Sequence, residues 1–145
     1  MKHFLVLALC LLATKANGQQ TKIDYQLIKY GDTGNLYSVV INIVDPAKDD
    51  FKAWCRYIVA DVKTKTGINN LTINIFDIKQ AQYLFDITSK RRELPKADLD
   101  YIHAHHVANY NGKIDETAKS YQLVFYPGCS DTPLKKYMGK EDFKP

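Results

Sequence analysis

Apolar and polar positions change their period several times along this chain, and each change marks an element. Ile23 to Tyr30 alternates: Ile23, Tyr25, Leu27 and Lys29 fall on one side, Asp24, Gln26, Ile28 and Tyr30 on the other. Gly31-Asp32-Thr33-Gly34 is turn chemistry. Leu36 to Ile43 is rich in β-branched and aromatic residues, so two antiparallel strands joined by this loop are expected. The period then lengthens. Phe51, Trp54, Cys55, Ile58 and Val62 recur at three- and four-residue steps, which predicts a helix from about Ala47 to Lys65. Asp45 is placed to cap it, Pro46 suits its first turn, and Gly67 is a natural stop. Asp49 and Asp50 near its start and Lys63 and Lys65 near its end suit the helix dipole.

The alternation returns at Leu71 to Phe76, a third strand. Asp77 is a candidate cap for a short helix over Gln80 to Phe85, with a continued strand as the alternative. Lys90-Arg91-Arg92-Glu93 reads as an exposed loop, and Pro95 to about Ala104 as another short helix. His106 to Asn111 and Tyr121 to Tyr126 read as the last strands, and the tail from Ser130 as irregular. The order is β-β-α-β-(α)-(α)-β-β. It predicts an α+β fold: a mostly antiparallel sheet of about five strands, one long amphipathic helix packed on a face, and one or two short helices. In the order of its elements the chain resembles cystatin-like helix-on-sheet arrangements, with no sequence motif in common.

The N-terminus follows a different pattern. Lys2 gives a positive start, Phe4 to Ala13 is an unbroken apolar run, and small residues follow. That order is the mark of a secretory signal peptide. The run is about half of the roughly twenty apolar residues a bilayer-spanning helix needs. Ala16-Asn17-Gly18 sets small residues at −3 and −1 of a cut before Gln19. Residues 1–18 are therefore expected to be removed, leaving a single α+β domain over 19–145, secreted or periplasmic, with no transmembrane helix in the mature chain. The competing reading is a lipid anchor on Cys10. It is disfavoured because Leu9 stands where a small residue is wanted.

Composition narrows the field. The chain has 145 residues and a formal net charge of +4, which falls to +2 when Lys2 and Lys15 leave with the signal peptide. Such a mild surplus makes no case for nucleic acid. Ten tyrosines and six phenylalanines suit half-buried sheets and recognition surfaces. Cleavage leaves two cysteines, Cys55 and Cys129, which an oxidising compartment would allow to pair.

Candidate chemistry is sparse. His103, His105 and His106 form a cluster that could serve a metal ion. In a strand His103 and His105 share a face; in a helix His103 and His106 do. Yet a tetrahedral site needs further ligands, and none is evident nearby. Cys55 sits mid-helix on the apolar side, unsuited to nucleophilic catalysis. The acidic pairs Asp49-Asp50, Asp98-Asp100 and Asp115-Glu116 are sequence neighbours, whereas paired-carboxylate hydrolysis needs groups facing across a cleft. No phosphate-binding glycine loop is present, and no cofactor is implied. The chain thus reads as an exported, non-catalytic binding protein with a protein partner, as a secreted inhibitor or immunity-type protein is. Its candidate contact residues are Lys90, Arg91, Arg92, Phe125 and Tyr126. The alternative is a metal-binding protein or metal-assisted hydrolase using the three histidines.

Overall fold

A computed structural model describes residues 23–29, 34–41, 51–89, 93–112, 121–125 and 138–145. The alternating segments form strands β1 (Tyr25–Lys29), β2 (Leu36–Ile41), β3 (Thr72–Phe76), β4 (His106–Asn111) and β5 (Gln122–Phe125). The helical segments form α1 (Phe51–Thr66), α2 (Lys79–Ser89) and α3 (Lys96–His105). A sixth strand, β6 (Gly139–Asp142), lies in the tail that the sequence pattern reads as irregular. All six strands join one sheet in chain order. Strands β2 and β3 run parallel, because α1 carries the chain back across the sheet between them; every other neighbouring pair is antiparallel.

Strand periodicity divides the sheet into two faces. Tyr37, Val39 and Ile41 of β2, Ile73 and Ile75 of β3, Tyr110 of β4, and Leu123 and Phe125 of β5 face α1 and form the main core with Phe51, Cys55, Ile58, Val59 and Val62. The second face carries α2 and α3, where Phe76, Ala81 and Ile102 make a smaller core with Leu84, Phe85, Leu94 and Tyr101 around it. Strand β3 is covered on both faces, so Ile73 to Phe76 are all buried. Each side chain in that run is held by packing or, at Asn74, by a hydrogen bond from Asn109 Nδ2 at 2.9 Å.

Three local expectations need correction. Trp54 is half-buried and Val59 replaces it in the core stripe. At about 100° per residue, Val59 and Trp54 lie equally far, on opposite sides, from the axis shared by Phe51, Cys55, Ile58 and Val62, so the packing against the sheet and not the spacing chooses between them. Asp77 does not cap α2; its carboxylate is turned to His105, 2.8 Å away. Strand β6 lacks apolar alternation because it forms an edge. It is fixed by pairing with β5 and by Arg56 of α1, whose guanidinium donates to both oxygens of Glu141 at 2.6 and 2.8 Å.

Two turns explain the connections. Gly67 ends α1 with φ +68°, and its N–H donates to the Lys63 carbonyl at 2.8 Å. Between β3 and β4 the register slips: Ile75 faces Ala108, but Phe76 faces His106. The extra residue, Val107, therefore joins Ala108 in the α1 core, and His106 falls on the opposite face against Phe76.

Candidate functional site

The connections leaving β2 and β3 set the site. From the C-terminal end of β2 the chain goes to α1 on one face. From the C-terminal end of β3 it goes to α2 on the other. Adjacent parallel strands whose connections part in this way leave a crevice at their carboxyl ends, a common place for ligands in open sheets. Here that place holds a crevice of about 560 Å³ lined by Asp24, Tyr25 and Gln26 of the β1 segment, Val40 of β2, and Asp77, Ile78 and Lys79 at the start of α2. Val40 and Ile78 give it apolar walls, while two carboxylates and one ammonium give it polar ones.

Asp77 is the best-positioned polar group. It follows β3 directly, its N–H donates to the His105 carbonyl at 3.2 Å, and its Oδ1 meets His105 Nδ1 at 2.8 Å. Burial pushes its carboxyl above the ordinary aspartate value, and the hydrogen bond with His105 opposes this. The His105 ring also packs on Tyr101, with centroids 4.5 Å apart. The pair thus ties the end of β3 to the end of α3 and presents a carboxylate to the crevice.

Beneath α2 the second face of the sheet carries a polar layer. Ser38 donates to Asp86 at 3.3 Å, and Gln82 donates to the other Asp86 oxygen. On the α1 face, beside β1, the Tyr25 hydroxyl donates to Asp61, and Lys65 Nζ lies 2.6 Å from that carboxylate and 4.9 Å over the Tyr25 ring. Burial and the Asp61 acceptor both push the Tyr25 hydroxyl above its usual range. These groups are engaged with one another and hold elements together.

The three histidines part company. His103 is exposed on α3, His105 faces Asp77, and His106 joins Phe76 and Phe85 in a three-ring cluster, with ring centroids 4.7 and 5.8 Å away. Burial pushes His106 down to about 4. The segment is neither one strand nor one helix, since α3 ends at His105 and β4 begins at His106. Among the described residues no group of three or more His, Cys, Asp or Glu side chains could hold a metal ion.

Phe125 is core and not surface: it is 1% exposed and meets Phe51 edge-on at 6.0 Å, because its position in β5 faces α1. Lys90, Arg91, Arg92 and Tyr126 lie outside the described residues. Cys55 is a fully buried free thiol, pushed up by that burial and so held away from the nucleophilic thiolate. Its expected partner, Cys129, lies outside the described residues, as do the signal peptide and Cys10. No helix among the described residues is long and apolar enough to cross a membrane.

The crevice residues escape a sequence reading because they come from three separate segments and match no motif. Two apolar side chains near the crevice end of α2 stand exposed, Ile78 just before the helix and Tyr83 one turn into it, the latter at 59%. Comparison with protein-family models, with curated proteins and with solved structures finds no match.

Proposed function

We propose that this is an exported protein that binds a protein partner without catalysing a reaction, in the manner of a secreted inhibitor or immunity-type protein. The observation that carries the reading is the crevice at the carboxyl ends of β2 and β3, walled in part by the exposed Ile78, with the exposed Tyr83 one turn beyond Lys79 on α2. Exposed aromatic and aliphatic side chains beside a concave surface are what protein recognition uses. Several described polar groups are joined to one another: Asp77 to His105, Asp61 to Tyr25 and Lys65, and Asp86 to Ser38 and Gln82.

Photo-crosslinking in the source cells tests the reading. A photoreactive residue at position 78 or 83 should give an adduct with the same protein. One at position 65, where the Lys65 side chain is 56% exposed in the last turn of α1, should not. Adducts of equal yield from all three positions, or from none, would remove the proposal. Intact mass of the protein recovered outside the cytoplasm tests the cleavage site: a chain starting at Gln19 is expected, an acylated chain starting at Cys10 would replace the free protein by a lipid-anchored one, and a chain that keeps residues 1–18 would overturn signal-peptide cleavage.

A further inference from the structure

Strand β1 is an edge of the sheet. Among the described residues it pairs with β2 alone, leaving one row of backbone groups without a strand partner. The other edge differs. Strand β6 reads Gly-Lys-Glu-Asp, short and charged, which is how edges are kept from pairing. Strand β1 reads Tyr-Gln-Leu-Ile-Lys, with one charge at its end. It also forms one wall of the crevice. Register places Gln26 beside Val40, and Asp24 shares the face of Gln26, so both belong to the α2 side of the sheet.

Resting on the binding reading above, we propose that β1 takes up an extended segment of the partner as a seventh strand, and that a lysine or arginine of this segment enters the crevice. Strand addition supplies main-chain hydrogen bonds along the edge, and alternate side chains of the added segment then face the crevice side. Three features select a long basic side chain. Asp24 and Asp77 give the crevice two carboxylates against the one ammonium of Lys79. Val40 and Ile78 offer apolar surface to a methylene stem that carries its charge at the tip. Gln26 is exposed, so the side chain crosses a polar rim and not a packed one.

The test pans a display library of linear twelve-residue peptides on the mature protein. Enriched peptides should carry Lys or Arg at alternate positions, and their binding should slow hydrogen exchange at the β1 amides. Affinity should fall at least tenfold in Asp24→Asn/Asp77→Asn. It should fall comparably in Gln26→Lys, a substitution at an exposed position that leaves the Asp77–His105 pair intact and so separates lost recognition from lost folding. Strand addition is overturned if panning enriches nothing, if the enriched peptides lack basic residues, if protection appears elsewhere, or if β1 is protected by a second copy of the chain without peptide. Crosslinks from positions 78 and 83 alongside any of these results would leave the binding reading standing and remove this inference alone.

Discussion

His106 gives the fold a sensitivity to acid whose size follows from its surroundings. Its ring is stacked on Phe76 at 4.7 Å with a 19° interplanar angle, and Phe85 packs beside both rings, 5.8 Å from His106 and 5.3 Å from Phe76. This burial is the main reason its proton affinity falls, the nearby His103 adds to it, and a hydrogen bond with the Ala108 backbone opposes it. In the unfolded chain the ring takes a proton near 6.5, and in the fold only near 4. Between those values the unfolded chain binds more protons, so stability is full above 6.5 and is lost as pH falls toward 4. At about 1.4 kcal/mol per pH unit, roughly 2.5 kcal/mol should go between pH 7.5 and pH 4.5. His106→Phe keeps a ring in the stack and removes the proton. Urea unfolding of both proteins at the two pH values measures the difference. The native protein should lose roughly 2.5 kcal/mol more than the variant. Asp77 also titrates abnormally in the acid range but is common to both proteins and cancels. Equal acid losses would refute the reasoning.

Other substitutions probe other parts of the fold. Gly112→Ala should destabilise by about 1–3 kcal/mol in urea unfolding, because an added Cβ would stand 2.9 Å from the Tyr110 ring and 3.1 Å from the Asn69 and Leu71 carbonyl oxygens; an unchanged midpoint would contradict that packing. Ile58→Ala empties a fully buried position on α1 and should cost about 2–5 kcal/mol in the same assay. A double-mutant cycle on Arg56 and Glu141 should give a coupling of about 0.5–1 kcal/mol, since the pair is bidentate but Arg56 is 41% exposed. No coupling would mean that β6 is held by its backbone pairing alone.

Much of the fold was legible where local chemistry and burial agree. Alternation found β1 and β3, β-branched and aromatic richness found β2, and the three- and four-residue spacing found α1 because one stripe of that helix is buried. Pro95 and the acids after it marked α3, which runs from Lys96 to His105 with Asp98 in its first turn. Strand β6 was not legible, because Gly139 to Asp142 has no apolar face and becomes a strand through pairing with β5. The crevice was not legible either. Asp24, Val40 and Asp77 are far apart in the chain and meet because β1, β2 and β3 lie side by side.

The sequence by itself determined which segments alternate and which coil, since those periods are properties of neighbouring residues. Tertiary structure decided the rest. The parallel pairing of β2 with β3 requires α1 to cross one face, while the descent into α2 and α3 uses the other, and the parting of those paths opens the crevice. The register slip after Ile75 settled the fate of the histidines. It turned His106 onto Phe76 and left His105 to Asp77. Three neighbouring imidazoles that could have formed one site were given separate surroundings, because a helix ends and a strand begins between the second and the third.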